Sequence, residues 1–280
     1  MSLSSKMEQA VTFGNDQSLV GILGIPKKIK KQNDLGIIFL NAGLLHHVGP
    51  FRMNVEFCRK LAKEGYISLR FDCSAIGDSG RVSKNDDYLS QVRKDVISAM
   101  DMLESRQGCS RYVLIGLCTG ADHAHRAMVA DQRVVGGIFL GGYSYPSFKF
   151  RLKRYLPILL SVKRINGLIA RLSKKCAKQP DIVNQEVSTF TWTLPPKNEV
   201  EKEFKKLLNR GAQIFYIFSG GENRAYNYKK QYYDSMPFLK KHKDQFKVFL
   251  NLKADHTYCL QEDRDLLYIQ ISSCIQLCER

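Results

Sequence analysis

Apolar residues follow two periods along this chain. Val11 to Phe13 and Leu19 to Leu23, joined by the turn Gly14-Asn15-Asp16-Gln17, read as an antiparallel hairpin. Further strands follow at Gly36–Leu40, Tyr66–Phe71, Tyr112–Ile115, Val134–Leu140, Gln213–Phe218 and Phe246–Leu250, of which 36–40, 112–115 and 134–140 are unbroken apolar runs. Runs without a polar alternate are strands buried on both faces, as in a parallel sheet. Helical spacing separates them. Phe51–Glu64 carries Val55, Phe57, Cys58, Leu61 and Ala62 and stops at Gly65, a C-terminal cap. Tyr88–Glu104 repeats its apolar positions on one face, and Ala121–Ala130, Tyr226–Lys241 and Tyr258–Cys278 complete the helical set. The stretch 149–205 breaks both patterns and reads as irregular, basic and punctuated by proline. Strands alternating with helices of crossover length predict a mostly parallel sheet with helices on both faces. There is no internal repeat.

Composition changes this picture only locally. With 280 residues, 44% hydrophobic and 25% charged, the chain fits a globular domain carrying an insertion. Met1–Ala10 has no apolar core of a secretory signal, and no run of about 18 apolar residues occurs. Cysteines at 58, 73, 109, 118, 176, 259, 274 and 278 form no Cys-x-x-Cys pair, so no zinc site is expected. Reduced cytoplasmic thiols are the expectation. Net charge is +16, and ten Lys or Arg with no acid fall between Lys149 and Lys178. Three readings of that block compete: a solvated face, adhesion to an anionic membrane surface, or attraction of an acidic substrate or carrier. Nucleic acid is not expected, because no recognised binding module accompanies the charge.

Candidate chemistry centres on Gly116-Leu117-Cys118-Thr119-Gly120, between the strand ending at Ile115 and the helix from Ala121. A nucleophile between two glycines in a strand-to-helix turn is the plan of a nucleophile elbow, here with Cys in place of Ser. The helix N-terminus favours a thiolate and a developing oxyanion. Taken alone, the five residues fit equally a buried Cys in a crowded turn.

The order of elements around them resembles the α/β-hydrolase fold. A strand ends in Asn41-Ala42-Gly43 where that fold places an oxyanion loop. Arg70-Phe71-Asp72 through Gly77-Asp78-Ser79 is similar to its post-strand loop, with Ala75 at a usual glycine. The elbow, an insertion, an acid after a strand and a late His then follow in the fold's order. A narrower likeness, carried by Asn41 through Arg52 and by Gly116 through Asp122, is to the exosortase A system-associated hydrolases of bacterial exopolysaccharide loci. The resemblance implies a core over residues 1–144 and 206–280 and a helical basic lid over 145–205.

Within that frame Cys118 is the nucleophile and His256, in Ala254-Asp255-His256-Thr257, the base. A lone His is otherwise most often a packed or surface residue. Glu222 fits the orienting acid, with Asn223 a neutral alternative and a plain solvated loop residue equally compatible. Asp255 adjoins His256, and such neighbours seldom point the right way. By resemblance, the oxyanion donors are the backbone N–H groups of Thr119 and of the Gly43–Leu44 loop, Leu44 being the second residue named. Asp72 and Asp78 read as turn-bracing carboxylates rather than metal ligands, and one of His46 and His47 is placed to line the site or pack its loop. The expected function is hydrolysis or transfer of an acyl group from an ester or thioester, without cofactor or metal. The rival is a non-catalytic binding or scaffolding member of the fold, peripheral to an anionic membrane.

Overall fold

The computed structural model describes residues 7–28, 34–80, 87–159 and 193–279, apart from the side chains of 157–159. Eight strands form a single sheet: β1 (Glu8–Phe13), β2 (Leu19–Gly24), β3 (Leu35–Leu40), β4 (Ile67–Phe71), β5 (Arg111–Leu117), β6 (Val134–Leu140), β7 (Gln213–Ser219) and β8 (Phe246–Asn251). Their spatial order is β1-β2-β4-β3-β5-β6-β7-β8. β2 runs antiparallel to both neighbours, and every pairing from β4 to β8 is parallel. This is the mostly parallel sheet that the apolar runs predict.

The period of two decides which face each side chain joins. On β5, Tyr112 and Leu114 enter one core, while Val113, Ile115 and Leu117 enter the other. On β7, Ile214, Tyr216 and Phe218 divide from Phe215 and Ile217 in the same way. Helices α1 (Met53–Lys63) and α7 (Gln261–Cys278) cover the second core. Helices α2 (Tyr88–Gln107), α3 (Thr119–Ala130) and α5 (Lys197–Asn209) cover the first. With each fully buried Val, Leu or Phe contributing about 1.5–3 kcal/mol over exposure, two covered faces are the main source of stability.

Local signals place the helix ends. Asp87 caps α2 by accepting from the N–H groups of Leu89 and Ser90. Past α1, the Tyr66 N–H reaches the Leu61 carbonyl and the Gly65 N–H that of Ala62, the Schellman arrangement expected around Gly65.

Two expectations differ. The stretch 149–205 is helical at both ends: α4 occupies Phe148–Leu159, and α5 starts at Lys197. α5 buries Val200, Phe204, Leu207 and Leu208, with Phe204 edge-on to Tyr216, Tyr232 and Phe246, so it packs as the crossover helix into β7. The helix expected over 226–241 is broken. α6 covers only Gln231–Ser235, and a 3₁₀ segment follows from Pro237 to Lys241. Met236 sits at φ −131, ψ 80, the extended backbone that a following proline imposes. The basic residues from 160 to 178, and Cys176 among them, lie outside the described residues. Among the described residues, no helix is long and apolar enough to cross a membrane.

Candidate active site

The site lies beyond the carboxyl ends of β5, β7 and β8, where open α/β sheets bind ligands. β5 ends at Leu117, α3 begins at Thr119, and Cys118 alone makes the turn at φ 56, ψ −116. A non-glycine residue held there costs about 1–3 kcal/mol and persists only where its surroundings dictate it. They do so through contact. A Cβ on Gly116 would stand 2.1 Å from the carbonyl group of Gly120, and one on Gly120 would stand 2.5 Å from the Asn41 carbonyl oxygen. The two glycines therefore allow β5, α3 and the loop after β3 to close around Cys118, whose thiol remains exposed.

His256 and Glu222 meet that thiol. His256 follows β8, in the turn after Asn251, and lines one cavity with Cys118. Its Nδ1 lies 3.8 Å from Glu222 Oε1, within ion-pair range but longer than a hydrogen bond. Glu222 closes a 3₁₀ turn after β7, where Ser219 donates its backbone N–H at 2.9 Å and its hydroxyl at 3.2 Å to Oε2. Anchoring Oε2 leaves Oε1 toward the imidazole. Cys118, Thr119, Gly142, Glu222 and His256 together line a cavity of about 220 Å³. Asn223 is exposed and does not line it. Asp255 turns back on its own loop, accepting from the N–H groups of Thr257 and Cys259.

The electrostatics follow from these contacts. The hydrogen bond from His256 draws the Cys118 thiol below its ordinary pKa against the opposing effect of burial, and the Thr119 N–H assists. The same bond raises His256, with the Glu222 charge adding to it. Burial raises Glu222, only partly offset by the Ser219 backbone N–H. A carboxyl raised by folding contributes stability below its unfolded pKa and loses it as pH rises through the folded value. Ionised Glu222 is therefore a cost to the fold near neutrality. Glu222→Gln is expected to raise the urea midpoint at about pH 7 while lowering turnover, and to leave the midpoint nearly unchanged at about pH 4. Unfolding curves at the two pH values check this, and a lower midpoint at neutrality contradicts it.

The loop after β3 is tied to the elbow and to the turn after β4. Gly43 donates its N–H to the Thr119 hydroxyl at 2.6 Å. Leu44 projects an 87% exposed side chain and does not line the cavity. Of the two expected oxyanion donors, Thr119 is thus at the thiol, and the Gly43–Leu44 loop stands beside it with the Gly43 N–H already engaged. Asn41 joins three segments: it donates to Leu45 and Asp72 and accepts from the Cys73 N–H. Asp72 accepts from the His47 backbone at 2.6 Å, His47 Nδ1 at 2.9 Å and the Asp78 backbone at 3.1 Å. Burial raises its carboxyl, but these hydrogen bonds prevail and hold it below the ordinary value. Asp78 meets His46 Nε2 at 3.0 Å. Ligand-type atoms of His46, His47, Asp72 and Asp78 fall within 4.8 Å of one another, yet they are spent on each other and on loop backbone. They brace the turn, and neither histidine lines the cavity at Cys118.

The remaining histidines have structural surroundings. Burial pushes His123 down to about 4. His125 pairs with Glu203 of α5 at 2.8 Å and packs edge-on to Tyr143 and Phe204. His242 contacts Gln245. Gly142 also lines the cavity and is not among the expected site residues. Its signal was the pair Gly141-Gly142 directly after β6, both at positive φ, where the backbone turns beneath the cavity.

No family model matches the chain. An uncharacterised Escherichia coli K12 protein, YcjY, is 24% identical over 155 residues, covering 49% of this chain and 49% of its own. The chain thus matches about half the length of that curated relative. Solved structures align over nearly its whole length. The Pyrococcus furiosus esterase PF2001 has TM-score 0.61 and 18% identity, covering 96% of this chain and 90% of its own. XC6422 from Xanthomonas campestris, an α/β serine hydrolase without a lid, gives 0.55 and 13%, covering 99% and 97%. Mouse α/β hydrolase domain-containing protein 10 gives 0.52 and 18%, covering 96% and 98%. At these identities the likeness is one of fold, and the chain has the α/β-hydrolase fold.

Proposed function

We propose that this chain is an acyl hydrolase or acyltransferase that works through a covalent acyl-cysteine. The observation that carries this reading is an exposed Cys118, held in the strand-to-helix turn between two glycines, sharing one cavity with His256 and Glu222. Cys118 Sγ, as the thiolate of a thiolate–imidazolium pair, attacks the carbonyl carbon of an ester or thioester. The carbonyl π electrons move onto oxygen, and the backbone N–H of Thr119 receives that oxyanion. The second donor comes from the Gly43–Leu44 loop once the substrate oxygen displaces the Thr119 hydroxyl from Gly43. The oxyanion collapses, the bond to the leaving alkoxide or thiolate breaks, and His256 gives that group its proton. Water or another hydroxyl, amine or thiol acceptor then adds to the acyl carbon, passing its proton to His256, and expels Cys118. Glu222, 3.8 Å from Nδ1, orients the ring and supports its charged form.

Esters and acyl-thioesters of graded chain length test this directly. The expected result is turnover with a transient acyl mass on the Cys118 peptide. No turnover and no acyl adduct across the panel overturns the reading. The rival, a non-catalytic member of the fold, draws on the unpaired Nδ1 of His256 and its 3.8 Å gap to the acid. It predicts a Cys118 no more reactive than an ordinary exposed thiol. The motif around Asn41–Arg52 supports the narrower placement beside the exosortase-associated hydrolases, a placement that does not itself name a substrate. α4, within the insertion expected over 145–205, is read as part of the lid of the site.

A further inference from the structure

A second and larger cleft adjoins the catalytic cavity. It encloses about 690 Å³ and shares Gly142 with the cavity that holds Cys118. Three guanidinium groups line it: Arg151 and Arg154 from α4, and Arg224 from the loop just past Glu222. No carboxylate is among the described lining residues. Phe150, Tyr155 and Leu194 supply apolar wall between them.

The positions of the basic side chains divide the charge of α4 into two sets. Lys149 and Lys153 lie over the Tyr228 ring at 5.3 and 5.6 Å, and neither lines the cleft. Arg154 is fixed at the rim, where it donates to the Arg224 carbonyl and stacks near Tyr155 at 5.7 Å. Arg151 and Arg224 have no acidic partner among the described residues. Like charges gathered around one cleft repel unless a counter-charge enters. Arginine, with a planar fork that matches carboxylate and phosphate oxygens in pairs, suits an oxyanion ligand better than lysine does.

We propose that the ester or thioester taken by this site carries a terminal oxyanion, a carboxylate or a phosphate, that docks among Arg151, Arg154 and Arg224 while its carbonyl lies at Cys118. This rests on the acyl-transfer reading above. It assigns the cleft arginines, rather than the whole basic surface, the task of selecting the substrate. The apolar wall contacts the stem that joins the anion to the reacting carbonyl.

Three probes test it: a neutral p-nitrophenyl alkanoate, the p-nitrophenyl monoester of a dicarboxylic acid, and an S-acyl phosphopantetheine. The wild-type kcat/KM is expected to favour at least one anionic probe over the neutral one by about tenfold or more. Preference for the monoester places the anion on the acyl side, and preference for the phosphopantetheine places it on the leaving side. The double variant Arg151→Gln/Arg224→Gln is expected to lower the anionic-to-neutral ratio by about tenfold. Lys240→Gln/Lys243→Gln, which removes the same charge outside the cleft, is expected to keep the ratio. A second readout needs no turnover. Free dicarboxylate and phosphopantetheine should slow iodoacetamide labelling of Cys118 in the wild type and much less in the arginine variant. Equal kcat/KM for all probes, or a ratio and a protection unmoved in Arg151→Gln/Arg224→Gln, overturns the proposal. If no probe turns over, protection decides the subsite alone, and the failure of turnover counts against the acyl-transfer reading.

Discussion

Cys118→Ala is expected to reduce ester and thioester turnover by about a hundred-thousandfold or more, leaving only the residual catalysis of the oxyanion donors, and His256→Ala to reduce it by about a thousandfold or more. In the proposed mechanism the losses are large because Cys118 forms and breaks a bond to the acyl group, and His256 moves a proton, in every cycle. Without Cys118 there is no acyl-enzyme. Without His256 the thiol loses the hydrogen bond that lowers its pKa, and the leaving group loses its proton donor. Neither change should unfold the chain, since the thiol is exposed and the His256 side chain is 39% exposed. Circular dichroism and unfolding midpoints separate lost chemistry from lost fold. The double variant should be little worse than Cys118→Ala, because residues that act as one unit are not additive. Turnover of Cys118→Ala near the wild-type rate would remove the residue from the mechanism.

Gly116→Ala is expected to be the most damaging single change that leaves the catalytic residues in place. The new methyl group would lie 2.1 Å from the Gly120 carbonyl, a contact with backbone that no rotamer relieves. Either β5 or the first turn of α3 must move, and both are built into the sheet core. A loss of about 3 kcal/mol or more, at the upper end for overpacking, follows from a site with no give. Where the variant still folds, Cys118 should be displaced from His256 and label as an ordinary thiol. Urea unfolding and labelling together check this. A wild-type midpoint with wild-type labelling contradicts the account of the elbow.

The sheet was legible because strands buried on both faces read as unbroken apolar runs, and 36–40, 112–115 and 134–140 all paired as parallel strands. The tight strand-to-helix turn at Cys118 was legible because crowding excludes other residues at 116 and 120. The choice between Glu222 and Asn223 was not, because it depends on a 3₁₀ turn in which Ser219 holds one carboxylate oxygen and frees the other. α5 was hidden by its charge, although Val200, Phe204, Leu207 and Leu208 already carried a helical spacing. The basic segment was read as one block, whereas tertiary structure sends Lys149 and Lys153 to Tyr228 and Arg151 and Arg154 to the cleft. Arg224 gave no sequence signal at all, since its partners come from a helix some seventy residues away.

Peptide-resolved alkylation by iodoacetamide tests the central claim most directly. Cys118 and Cys259 are both exposed, so access alone does not distinguish them. Their surroundings do. His256 lowers the Cys118 thiol, whereas a hydrogen bond to the Asp255 carboxylate raises Cys259. The buried thiols also shift up, Cys58 to about 11 and Cys109 to about 12. At about pH 7 Cys118 should therefore label at least about tenfold faster than Cys259, with a pH midpoint below that of an ordinary thiol. His256→Ala should move that midpoint up and abolish the difference. Equal, slow labelling of the two cysteines in the wild type, unchanged by His256→Ala, would contradict the assignment of Cys118 as an activated nucleophile.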